Sequence, residues 1–420
     1  MCGISPEEST PGQSASIPRR AGIDMLRTPV AAHTARVRAL LSAVSQRTVE
    51  QVALTRALDR VLAHPVRTPI ALPPFRNSQM DGFAVRVTDL ARTPRSLPLR
   101  GEIPAAPGTP APLDPGHAVR VMTGAPIPDD ADAVVPVEHA TVHDATVTFT
   151  RKPDAGEFVR EAGSDLAAGD PLLPSGLRLA PRHLAALAAA GLDSIPVRSQ
   201  VRVAVISTGS ELATPGEPLA PGQIYDANGP ALAAAVRSAG AFLADEHRVV
   251  DDTAAFARAL DASYAAGAEI VLTSGGISAG SYEVVREFLE PLGAHIDTLA
   301  MQPGGPQATA LYKDVPVVCF PGNPVSAQLS FMLFIEPILR ETAGLPARRP
   351  EPRTLAEPLT SVTGKRQFRR GVALPEGRVA PLGGASSHLV AAMAASDVLI
   401  DVPIDAVTLD IGTRVETWNL

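Results

Sequence analysis

The chain has 420 residues, of which 45% are hydrophobic and 19% charged, with a formal net charge of −7. That length exceeds one ordinary core, so two to four domains of a soluble globular protein are expected. The acidic balance, the lack of a basic block and the 4% aromatic content argue against a nucleic-acid partner, which needs a phosphate-tracking surface or a base-stacking platform.

The two cysteines, Cys2 and Cys319, exclude a disulfide framework or a cysteine zinc site, and Cys319 in an apolar run reads as packing. No stretch of about 18 apolar residues and no apolar signal core at the start is present. No membrane association and a cytoplasmic location are therefore expected. The 41 prolines are about twice the usual share of roughly 5%. Proline is barred from central strands, which predicts irregular β-rich modules beside any α/β part.

Residues 1–24, rich in Ser, Pro, Gly and Glu, read as a disordered extension, with Met25 as an alternative start. Residues 25–66 and 151–195 read together as a linker domain. Helical spacing runs through Val37, Leu40, Leu41 and Val44, and residues 48–51 fit a capping box for a further helix toward Ala63. The alternation of Val49, Val52 and Leu54 leaves a short strand open as the other choice. Residues 67–150 form an inserted β-rich domain, with strands over 117–122, 133–137 and 146–150 between turn residues. Asp81-Gly82 and Thr123-Gly124 read as polar hairpin tips. Pro181 opens a helix that Gly191 closes.

Residues 196–345 repeat one unit three times. The β-branched runs 201–206, 269–273 and 315–320 each end in a loop: 207–211, Ser274-Gly275-Gly276-Ile277-Ser278, and Pro321-Gly322-Asn323-Pro324. Helical stretches follow at 230–239, 253–266, 282–289 and 324–340, the last with a kink or early end expected at Pro337. Parallel strands alternating with helices make an open sheet that binds ligands beyond its carboxyl edge, so all three loops belong there. Residues 346–420 alternate short strands (368–374, 398–402, 414–418) with turns, a small β domain.

Asn323 is a good N-cap and Pro324 is preset for a first helical position. The N–H groups of Val325 and Ser326 are then expected to face an anion, though the same residues also make an ordinary capped turn. Glu211, Asp226 and Glu283 flank these loops. Isolated carboxylates are usually solvated surface. Several at a phosphate-binding edge repel the ligand unless a hard cation intervenes, and Mg²⁺ is the natural choice, held by one or two carboxylates plus phosphates. The histidines lack zinc spacing. Gly276-x-Ser278-x-Gly280 matches a serine-hydrolase elbow, but Ser274-Gly275 separate it from the strand and no Asp/His pair is well set.

In order, the Asp81, Thr123, Gly163-Ser164-Asp165, Thr208-Gly209-Ser210-Glu211-Leu212, Ser274-Gly275-Gly276 and Pro321–Pro324 motifs resemble the molybdopterin molybdenumtransferase (molybdenum insertase) family, from about Leu26 to the C-terminus. The resemblance implies a central three-layer α/β domain with a parallel-rich sheet, a helical linker domain, an inserted β-rich domain and a C-terminal β-barrel-like domain. It also implies a homodimer whose active site joins the α/β domain of one subunit to the inserted domain of the other. The implied reaction takes adenylylated molybdopterin and molybdate, releases AMP and leaves molybdenum on the dithiolene. Asp81, Thr123, Asp165, Glu211 and Asp226 match polar site positions of the family. Thr208, Gly209, Ser274, Gly275, Gly276, Ser278, Gln302 and the Pro321, Gly322, Asn323, Pro324 loop are implied to cradle pterin and phosphate. Ser326, Arg370 and Ser387 match positions for molybdate, and Asp226, Glu211 and Glu283 are the implied Mg²⁺ ligands.

Three departures stand out. The family's Lys-Pro-Gly-Lys-Pro stretch is Gln302-Pro303-Gly304-Gly305-Pro306, the aspartate usual after Thr-Gly is Ser210, and an aspartate after the glycine loop gives way to Ser281-Tyr282-Glu283. Charge-assisted hydrogen bonds contribute roughly 1.5–3 kcal/mol each, so two lost lysines matter, and Arg369 and Arg370 are expected to compensate in part. The other readings are a non-catalytic paralogue that binds or delivers the cofactor, a molybdopterin adenylyltransferase, whose domain resembles residues 196–345, and a serine esterase at Ser278.

Overall fold

The structure, a computed structural model, describes residues 27–278 and 283–420. The expectations for residues 1–24, Met25, Gly280 and Tyr282 lie outside the described residues.

The first helix, Val30–Leu40, is docked by its apolar face. Val37, Leu41 and Val44 join one core with Val203, Val205, Ile270 and Leu272 of the α/β domain. Asp297 holds the same segment through polar contacts, accepting from Thr28 Oγ1 at 2.8 Å and meeting His33 Nδ1 at 3.0 Å and the Arg36 guanidinium. The helix expected over 48–63 does not form. Val49–Ala53 is a strand, antiparallel to Ser194–Arg198, with Val52 opposite Ile195. Thr48 caps nothing; its hydroxyl donates to Ser199 Oγ. A distant strand partner outweighs a weak local helix preference here, because β-branched residues gain from cross-strand contact. The helix Pro181–Ala189 covers the linker core of Leu62, Leu179, Leu187, Ile195 and Val197.

The inserted domain is one six-stranded sheet in the order Ala133–Pro136, Gly82–Val85, Ala118–Val121, Arg95–Ile103, Thr146–Phe149, Ala140–His143. Phe83, Leu90 and Phe149 pack on one face, Ala84, Val119 and Val134 on the other. Gly82 is opposite Val121. The turn before Gly82 and the turn after Val121 therefore meet, and Asp81 and Thr123 share one tip.

In the α/β domain the elements are β1 (Arg202–Thr208), α1 (Asn228–Ser238), β2 (Phe242–Val249), α2 (Thr253–Ala265), β3 (Ile270–Ser274), α3 (Val284–Leu289), β4 (His295–Thr298), β5 (Pro306–Tyr312), β6 (Val315–Phe320), α4 (Pro324–Ser330) and α5 (Glu336–Ala343). The sheet order is β2-β1-β3-β6-β5-β4. The first four are parallel and the last two antiparallel. Helices cover both faces, so the middles of β1, β3 and β6 are apolar, and the polar ends of β1 and β3 lie at the carboxyl edge. The expected break at Pro337 is present: α4 passes through a π-turn, Phe331–Ile335, and α5 restarts with Pro337 in its first turn.

The C-terminal strands Glu351–Leu355, Arg366–Leu374, Arg378–Pro381, Val398–Val402 and Arg414–Asn419 close into a five-stranded barrel, which leaves no free sheet edge. Met301–Gln302 runs parallel to Arg366–Gln367 and stitches the barrel to the α/β domain.

Candidate functional site

The loops after β1, β3 and β6 open into a cleft of about 1110 Å³, closed on its far side by residues 298–306, Lys365, residues 385–388 and Arg27. Where the three loops meet, its sheet-side wall is backbone, flanked by the Glu211, Asp226, Asp251 and Glu283 side chains. A side chain on Gly275 (φ +95°) would lie 2.5 Å from the Thr208 carbonyl, and one on Gly276 (φ +65°) 2.9 Å from Val285. Gly322 sits over Gly275, its absent Cβ 3.3 Å from that Cα. These glycines let three loops touch while their polar backbone faces the cleft. The Thr208 hydroxyl is turned inward, donating to the Ser274 carbonyl at 3.3 Å.

Asp226 is buried at the start of α1, where its Oδ1 accepts from the N–H groups of Asn228 (2.9 Å) and Gly229 (3.0 Å). Asn228 in turn donates from Nδ2 to the Gly322 carbonyl at 2.7 Å, tying α1 to the β6 loop. The Asn228 Oδ1 is buried without a partner among the described residues. Ser278 donates N–H and hydroxyl to the Glu283 carboxylate, at 2.8 and 2.6 Å. Serine hydrolases pair the nucleophile with a histidine or lysine, whereas the Ser278 hydroxyl faces a carboxylate.

Of the residues expected to act, Thr208, Gly209, Glu211, Asp226, Gly275, Gly276, Ser278, Glu283, Gln302, Pro321, Gly322, Asn323, Pro324, Ser326 and Ser387 line the cleft. Ser274 lies just behind it, almost wholly buried. Asp81, Thr123 and Asp165 do not line it within this chain. Asp81 Oδ1 accepts from Thr123 N (2.7 Å) and Oγ1 (2.8 Å), and these bonds hold its carboxyl below the usual range at an exposed tip. Arg370 is 1% exposed and donates to the Gly384 carbonyl. Burial, then the neighbouring Arg369, pushes its pKa down. From there it braces the loop that carries Ser387 rather than forming the cleft surface. The expected opening at the start of α4 is also partly closed. The Asn323 side chain makes no capping bond, and the Val325 N–H donates to the Ser387 carbonyl at 3.2 Å. The barrel loop packed over α4 takes that donor.

Among the described residues no three His, Cys, Asp or Glu side chains gather tightly enough to hold an ion by themselves. Asp226, Glu211 and Glu283 thus form no preassembled triad, since Asp226 caps α1 and Glu283 holds Ser278. Glu211 and Asp226 still face the cleft with hard oxygens, a donor set that fits Mg²⁺ when ligand phosphates complete the shell.

The structure adds cleft residues that the sequence reading missed: Arg27, Asp251, Lys365, Ser386 and His388. Asp251 Oδ2 accepts from Ser210 N at 2.9 Å and Asp251 N donates to Ser210 Oγ at 2.9 Å, so a carboxylate stands beside the serine after all. It follows β2, whose Asp245, Glu246, His247 and Arg248 conceal a parallel edge strand. Cys319 is buried as expected, and burial pushes its thiol up to about 12.

Comparison with known proteins agrees with this architecture. Residues 28–191 match the "MoeA N-terminal region (domain I and II)", 204–341 the "Probable molybdopterin binding domain" and 352–420 the "MoeA C-terminal region (domain IV)". A Mycobacterium tuberculosis protein named molybdopterin molybdenumtransferase 2 is 43% identical over 383 residues, covering 88% of this chain and 94% of its own. A molybdopterin molybdenumtransferase of Synechococcus elongatus is 33% identical over 404 residues, covering 93% and 100%. Among solved structures, a Pyrococcus horikoshii molybdopterin biosynthesis moeA protein superposes with a TM-score of 0.71 at 28% identity, covering 94% of this chain and 99% of that one. With its glycine-built cleft, closed barrel and matched length, the chain belongs to the molybdopterin molybdenumtransferases, transferase enzymes of molybdenum cofactor biosynthesis.

Proposed function

We propose that the protein takes adenylylated molybdopterin and molybdate, cleaves the phosphoanhydride and releases AMP with molybdenum left on the dithiolene. The observation that carries this reading is the shared opening of the Thr208–Glu211, Ser274–Ser278 and Pro321–Pro324 loops into one cleft large enough for a nucleotide-linked pterin. Gly209, Gly275, Gly276 and Gly322 let phosphate and pterin approach the backbone, whose N–H groups bind oxygen without a reorganisation cost. Asp226, fixed by two N–H donors, and Glu211 present carboxylates toward the phosphates. These two residues would hold Mg²⁺, which would supply positive charge against the phosphates. Ser326 and Ser387 offer hydroxyls to molybdate, with Arg370 bracing the Ser387 loop. Asp81, Thr123 and Asp165 act from the partner subunit of a homodimer, since their own chain keeps them out of the cleft lining. The site of action is the cytoplasm.

Purified protein incubated with adenylylated molybdopterin, molybdate and Mg²⁺ should release AMP in step with molybdenum insertion. AMP no higher than in a protein-free control contradicts the proposal.

A further inference from the structure

The cleft separates its charges by wall. Glu211, Asp226, Asp251 and Glu283 all stand on the sheet side. On the opposite wall the loop Gln302–Pro306 carries no charge. Among the described residues the two Arg and Lys side chains that line the cleft, Arg27 and Lys365, flank this loop.

Their placement is fixed by backbone. Thr28 forms a bridge with Leu299, donating to the Thr298 carbonyl at 3.0 Å and accepting from Ala300 N at 2.9 Å. Arg366 N donates to the Ala300 carbonyl at 2.9 Å, and Gln367 Nε2 donates to Gln302 Oε1 at 3.0 Å. The N-terminal segment and a barrel strand thus attach to the same stretch, 298–302, and each brings one cation to it. Thr28 is further anchored on Asp297. Among the described residues neither cation has a carboxylate or hydrogen-bond partner. Burial, then the Arg27 charge, lowers the Lys365 pKa. Two unpaired like charges flanking one wall, Lys365 half-buried and Arg27 exposed, repel one another, and a bound anion relieves that cost.

We propose that Arg27 and Lys365 form the oxyanion subsite of the cleft, supplying from two remote segments the positive charge that the Gln302–Pro306 loop lacks. Their ligand is a tetrahedral dianion, either free molybdate or the phosphate of the nucleotide. This inference rests on the insertase reading for its choice of ligand. Gly305 marks the shift of charge: its backbone is not in the left-handed region, and a Cβ there would meet only ordinary contacts at 3.7 Å or more. A side chain fits, so geometry does not demand glycine. Gly304, with φ +99° and Met301 Cε at 3.1 Å, does require it.

The test is calorimetric titration of the full-length protein with molybdate and, separately, with AMP, which needs no turnover. Lys365→Gln or Arg27→Gln should weaken one of these ligands about tenfold, and the double variant more, as expected for loss of charge-assisted bonds. Lys365→Arg should bind near wild type. Adding Gly305→Lys to the double variant should recover affinity, a result that mere damage to the fold cannot produce. Whichever ligand loses affinity identifies the source of the dianion. Unchanged affinity for both ligands in the double variant overturns the subsite, as does binding of neither by the wild type. AMP release by the wild type in the assay above decides the insertase reading separately.

Discussion

The two walls of the cleft are built by different means. On the sheet side, β1, β3 and β6 deliver backbone, and Gly275 and Gly276 hold conformations and contacts that forbid a side chain. On the barrel side, Arg27, Gln302, Lys365 and Ser387 arrive from four stretches of chain and present side chains. The first wall presents backbone polar groups and has little room to vary. The second can change its charge without disturbing the sheet. Gln302 and Gly305, where the resembled family carries lysines, are such changes.

The largest expected effect is on the sheet side. Asp226→Ala strands two N–H groups at the start of α1 and removes a cleft carboxylate. AMP release should fall about a hundredfold or more, with a stability loss of about 1–2 kcal/mol for the cap. Urea denaturation alongside the activity assay separates the two. Gly275→Ala should come next. A methyl 2.5 Å from the Thr208 carbonyl at positive φ should cost about 2–3 kcal/mol and most of the activity. Near-wild-type behaviour of this variant would erase the contrast between the walls.

Asp81→Ala should lower activity about tenfold with only a small fall in melting temperature, because the Asp81 bonds to Thr123 lie at an exposed tip. Mixed and re-equilibrated with Asp226→Ala subunits, it should regain activity, since one heterodimeric site then has both residues intact. No recovery on mixing would place the whole site within one chain. The smallest effect concerns the anchor of the Arg27 segment. Burial disfavours the Asp297 carboxylate, but His33, Thr28 and Arg36 outweigh it and hold its pKa below the ordinary value. Its contribution is thus present above the unfolded carboxylate pKa and lost as pH falls through the lower folded one. Asp297→Asn should flatten the acid limb of stability against pH, measured by thermal melts.

The same contrast explains what could be read from the sequence. Val203, Val271 and Val317 sit in runs whose burial on both faces leaves a continuous apolar stretch, and the glycines after them mark where backbone must reach ligand. The sheet edge was therefore legible, as were the helix breaks at Gly191 and Pro337. β2 was not, because an edge strand carrying Asp245, Glu246 and His247 looks like solvated surface, and Asp251 was lost with it. The strand Val49–Ala53 was uncertain because its partner, Ser194–Arg198, is far away in sequence. Arg27 and Lys365 carry no local mark at all. Only the pairings of Thr28 with Leu299 and of Arg366 with Met301 bring them to one wall. The Val325 N–H was expected to face a ligand, and the Ser387 carbonyl that takes it belongs to a domain whose docking no local pattern reveals.

The most direct measurement is a crystal structure of the protein soaked with AMP and molybdate. The account predicts nucleotide density along Gly275–Gly276 and Pro321–Pro324, an oxyanion against the Gln302–Pro306 wall, and the partner's Asp81–Thr123 tip closing the opening. Nucleotide density elsewhere, such as the smaller hollow lined by Arg47, Arg198 and Glu341, with this cleft left empty, would contradict it.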